Sequence, residues 1–135
     1  MDDRVSDLLP AGAYLAWRYV DARRGIDRRQ VYYDDGRVEA HEGDSVSQSF
    51  HFSPEQVQAA MAAVIDSGLP TSTDTSGAGV HDPAPISYAW RIEGDEGSVT
   101  NAGYPATKLA AIERLEAALA ELEEAAGYWP LLADE

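Results

Sequence analysis

The sequence predicts an α+β fold: one curved, mainly antiparallel sheet of about five to six strands, with two helices packed on one face. Three observations predict it. Apolar alternation with a period of two recurs at 13–20, 30–41, 45–52 and 86–101. Helical spacing takes over at 53–68 and again at 106–126. The links between successive strands are short turns, which suit antiparallel hairpins and not crossovers. The order is therefore strands, helix, strands, helix, within a single domain spanning 1–135, with tails at 1–12 and 128–135.

Each element has its own local reason. In AYLAWRYV, Leu15, Trp17 and Tyr19 share one face while Arg18 points the other way, the pattern of a half-buried strand. DARRGIDRR reads as a turn-rich connection. Residues 30–33 and 37–41 flank Asp34-Asp35-Gly36, and an Asp-Gly pair between β-type runs signals a hairpin. Val38 and Ala40 then point inward, and Arg37, Glu39 and His41 form a ladder outside. Glu42-Gly43-Asp44 reads as a three-residue bend, and Val46, Gln48, Phe50 and Phe52 fall on one side of the next strand.

Ser53-Pro54-Glu55-Gln56 carries a cap, a proline suited to the first turn and the partner of a capping box. Val57, Ala60, Met61, Val64 and Ile65 then make an apolar stripe, which Gly68 ends. The polar stretch 71–85 is expected to be a long flexible loop. Ile86, Tyr88, Trp90 and Ile92 give the clearest alternation, turned at 94–97 into a returning strand. The last helix buries Leu109, Ile112, Leu115, Leu119 and Leu122 and leaves Glu113, Glu116, Glu121, Glu123 and Glu124 in water.

Composition narrows the function. With 24 acidic and ten basic residues the net charge is −14, which disfavours duplex nucleic acid and anionic membranes as partners. The balance, with nine arginines and one lysine, fits a salt-adapted or GC-rich prokaryotic source. The chain has no cysteine, which removes thiolate chemistry and Cys-based zinc sites. No apolar run reaches the length of a membrane helix. The opening MDDRVSDLLPAG lacks the basic and apolar regions of a signal peptide, so a cytoplasmic location is the default expectation.

The candidate sites are few. His51 and Asp35 face each other across the hairpins if the bend is three residues long, which would give half of a catalytic dyad. The histidines offer no recognised metal spacing, and neither a metal nor a cofactor is expected. Arg23, Arg24, Arg28 and Arg29 put four of the ten basic residues within seven positions, a cationic stretch suited to a carboxylate- or phosphate-bearing partner. Of Tyr32 and Tyr33, one must face outward, and Tyr32 is carried as a contact residue; Tyr128 and Trp129 form an apolar tail that could dock on a partner.

Three stretches, Tyr14–Tyr19, Ser53–Leu69 and Asp82-Pro83 through Ile92 followed by Pro105 and the leucine stripe, resemble in order and spacing the emfourin-type bacterial inhibitors of thermolysin-like metalloproteases. The resemblance implies a fold and an inhibitor role; it assigns no functional residue. The leading expectation is a non-catalytic module that binds another protein, as an inhibitor or accessory subunit. Two alternatives stand beside it: a small-molecule binder or hydrolase using His51 and Asp35, and a structural subunit, a homo-oligomer included.

Overall fold

A computed structural model describes residues 9–21, 24–43, 45–71, 86–101 and 109–126. Six strands form one antiparallel sheet: β1 (Ala13–Asp21), β2 (Ile26–Tyr33), β3 (Arg37–Glu42), β4 (Ser45–His51), β5 (Ile86–Ile92) and β6 (Asp95–Asn101), in the spatial order β4-β3-β2-β1-β5-β6. The sheet is open, with β4 and β6 as its edges. Helices α1 (Pro54–Ser67) and α2 (Ala110–Ala125) follow the two sets of strands, pack on each other and share one core with one face of the sheet. The α+β expectation and the order of elements hold.

The core follows the alternation. Leu15, Trp17 and Tyr19 of β1, Val38 of β3, Phe52, and Ile86, Tyr88, Trp90 and Ile92 of β5 meet Val57, Ala60 and Val64 of α1 and Ile112, Leu115 and Leu119 of α2. The Trp90 ring occupies the space above its cross-strand partner Gly97, where a Cβ would stand 2.6 Å from the ring. Helix α1 starts as its sequence dictates: the Gln56 N–H donates to Ser53 Oγ at 3.2 Å and the Ser53 N–H donates to Gln56 Oε1 at 2.8 Å. It ends at Gly68, whose φ of 89° suits a residue without a Cβ. Leu109 cannot cap α2, and Asn101 at the end of β6 accepts its N–H at 2.7 Å instead.

Five local expectations need correction. Residues 26–29 belong to β2 and not to a loop, because Ile26 to Arg29 pair in register with Asp21 to Arg18. The bend after β3 has two residues, since Glu42 pairs with Ser45, and a β-bulge follows between the pairs Ala40–Gln48 and His41–Val46. The hairpin after Ile92 turns at Glu93 and Gly94, both at positive φ, so β6 starts one residue after Gly94. Ile65 is exposed, and Glu123, expected in water, is only 3% exposed. The 71–85 loop, apart from Thr71, and both tails, apart from 9–12 and including Tyr128 and Trp129, lie outside the described residues.

Candidate functional site

Two polar groupings flank the sheet, one sealed under α2 and one on the opposite face. The inner one arises where a helix position meets a bulge. The pairs Ala13–Tyr33 and Leu15–Tyr32 leave Tyr14 as an extra residue on β1, and both Tyr14 and Leu15 pack in the helix-side core. There Tyr14 lies 6.2 Å from the Tyr32 ring, centroid to centroid. Tyr32 Oη donates to Glu123 Oε2, and Gln30 Nε2 donates to the same oxygen at 2.8 Å and to Tyr32 Oη at 2.6 Å.

Burial pushes the Glu123 carboxyl up to about 7, against the opposing pull of its hydrogen bonds to Tyr32 and Gln30. Burial also raises the Tyr32 phenol, and the charge of Glu123 raises it further. Tyr14 is raised by burial and then by Glu123, and its hydroxyl has no hydrogen-bond partner among the described residues. A buried acid near neutrality invites a catalytic reading. Exposure decides against it: Tyr32 is 0%, Gln30 1% and Glu123 3% exposed, so no partner reaches them. Tyr32 is thus a core residue and not a contact residue. Glu123 escaped the sequence reading because it sits among wet glutamates; the signal was its spacing four residues after Leu119, on the buried stripe.

The outer face is built by register. Ser49, Glu39, Val31, Ala16, Ala89 and Ser98 form one cross-strand row; Val46, His41, Arg29, Arg18, Ser87 and Thr100 form the next. The first row is not an open face in its middle, because Val31, Ala16 and Ala89 are fully buried and pack with Leu9 and Ala13. The second row carries the charge. Arg18 grips Asp27 with two bonds, Nε to Oδ1 at 3.0 Å and Nη2 to Oδ2 at 2.7 Å, and Asp27 is held below the usual carboxylate range mainly by that contact. The neighbouring Arg29 stands opposite Arg18 on one side and His41 on the other. Among the described residues, no carboxylate lies within ion-pair distance of Arg29.

His41 Nε2 lies 3.4 Å from Glu39 Oε1 but makes no hydrogen bond there, and it is buried. Arg37 pairs with Glu39 at 3.5 Å and stacks on the Tyr33 ring at 4.1 Å. The ladder of Arg37, Glu39 and His41 is therefore present, as the alternation requires.

The arginine stretch is not one cationic loop. Arg24, in the turn before β2, binds Asp21 at 2.8 Å; Arg28 binds Glu42 at 3.0 Å; Arg29 alone joins the outer row described above. Arg23 lies outside the described residues. The His51–Asp35 pairing also changes. The two-residue turn and the bulge set His51 opposite Arg37, two positions beyond Asp35, whose carboxylate accepts the Arg37 backbone N–H at 2.9 Å. Among the described residues, no group of three or more His, Asp or Glu is placed to hold a metal.

No helix among the described residues is long and apolar enough to cross a membrane. No protein-family model and no curated protein matches the chain.

Proposed function

We propose that the protein is a non-catalytic interaction module that holds an acidic segment of another protein against the outer face of its sheet. The observation that carries this is Arg29, an arginine directly opposite Arg18 and next to His41, whose charge acts on Asp27 but which makes no ion pair among the described residues, Asp27 being taken up by Arg18. Like charges directly across a sheet are destabilising; Asp27 offsets part of that cost, and a bound carboxylate would lower it further. In a chain with a net charge of −14, a cationic row on a regular sheet face also departs from the overall trend. A planar guanidinium suits a two-pronged contact with a carboxylate. Asp27 holds the neighbouring Arg18 fixed through two hydrogen bonds.

A glutamate-rich peptide tests the reading by fluorescence anisotropy, with a lysine-rich peptide of equal length as control. The acidic peptide is expected to bind at low salt, to weaken as salt shortens the screening length to about 8 Å or less, and to bind at least about tenfold more weakly to Arg29→Gln. Binding that is absent, or unchanged by Arg29→Gln, contradicts the proposal. The inhibitor resemblance supplies one class of partner, a thermolysin-like metalloprotease, whose loss of activity on addition of the protein is a direct assay.

A further inference from the structure

The two edges of the sheet are guarded differently. Strand β6 opens with Asp95 and Glu96, both exposed, and charges on an edge discourage pairing with another strand. Strand β4, SVSQSFH, has no Asp, Glu, Lys or Arg, and every residue but Phe50 is exposed, Val46 at 55%. Its one guard is the bulge near Ser47, which leaves the stretch from Gln48 to His51 in regular register with β3. The Phe52 N–H donates inward to Gly36 O at 2.7 Å. Peptide groups alternate along an antiparallel strand, so the N–H and C=O of Ser49 and His51 face away from β3. No other described strand pairs with that side.

We propose that β4 pairs, antiparallel and about a twofold axis, with β4 of a second copy of this chain. Charge selects the occupant. A chain of net charge −14 repels its own copies over most of its surface, and β4 is where two copies meet with no acidic side chain in the contact. Across the sheet from β4, the next charged side chains belong to β3; three inter-strand steps would separate β3 from its mate, about 14 Å, beyond the screening length of about 8 Å in physiological salt. A twofold contact must be self-complementary, and a run of serine and glutamine around the axis meets its own hydroxyls and amides without like-charge conflict.

The axis stands perpendicular to the sheet, so both outer faces lie on the same side of one continuous sheet. If the acidic-partner reading holds, the two Arg29 positions would then be five strand spacings apart, about 24 Å across the strands and about 13 Å along them, and a long acidic segment could engage both.

Sedimentation velocity on the pure protein, with no peptide present, tests the pairing apart from that reading. A seven-residue edge contact is small, so dimer is expected to grow in between about 10 µM and about 1 mM. Ser49→Lys brings two cations to the axis on an exposed side chain and is expected to weaken dimerisation about tenfold or more. Glu121→Gln, which changes the net charge by the same amount on an exposed position of α2, is expected to leave it unchanged, with circular dichroism confirming the fold of both. A wild-type protein that stays monomeric across that range overturns the proposal. So does a Ser49→Lys variant that dimerises like the wild type.

Discussion

Two glutamates on opposite sides of the sheet show how position decides what a carboxylate does. Glu39, on the outer face, is shared by Arg37 and His41 at 3.5 and 3.4 Å, within reach of water. Glu123, on the inner side, accepts from the neutral donors Tyr32 and Gln30, and burial raises its carboxyl to about 7. The inner group is tied to the fold through desolvation. The outer group belongs to a screened ladder in which single contacts are worth little. Changes under α2 should therefore move stability, and changes on the outer face should move association and leave the fold nearly untouched.

The largest expected effect is the pH dependence of stability. The folded Glu123 carboxyl binds its proton more tightly than the unfolded one, so the native state holds more protons between 4.5 and about 7. Stability from this group is full below 4.5, falls as pH rises through that window, and levels off above it. The gap corresponds to roughly 3 kcal/mol. Urea unfolding at a series of pH values should show this decline in the wild type and a much flatter profile in Glu123→Gln. An equal slope in the two proteins would break the contrast.

Next comes Gly97→Ala, where the new methyl meets the Trp90 ring; overpacking of this kind costs about 1–3 kcal/mol, read as a lower urea midpoint. Tyr14→Phe should act in the opposite direction, because the hydroxyl it removes is buried without a partner among the described residues. A gain of about 1 kcal/mol is expected, and a loss would mean that the hydroxyl supports Glu123. The smallest effect belongs outside: Asp27→Asn, which breaks the contact with Arg18, should change stability by less than about 1 kcal/mol, and still less at high salt.

The elements legible in the sequence were those whose signals are local. Alternation in 86–92 placed Ile86, Tyr88, Trp90 and Ile92 in the core, and the capping box and Gly68 bounded α1. What escaped depended on register. A bulge at Tyr14 and another near Ser47 each add one residue to a strand, and a single added residue changes which residues meet. The bulge near Ser47, added to the two-residue turn, is why His51 faces Arg37 and not Asp35, and the bulge at Tyr14 is why Tyr14 joins Tyr32 in the core. Arg29 was singled out for its place in an arginine-rich run. Its pairing with Arg18 and His41 needed the strand assignment of 26–29.

The proposed acidic partner should touch the outer face and leave the inner cluster, which serves the fold, undisturbed. Titrating the isotopically labelled protein with a glutamate-rich peptide and following backbone amide shifts tests this most directly. The expected result is a contiguous set of perturbed amides around Arg18, Arg29 and His41, with those of Gln30, Tyr32 and Glu123 perturbed far less. No saturable shifts, or shifts centred on α2, would contradict it.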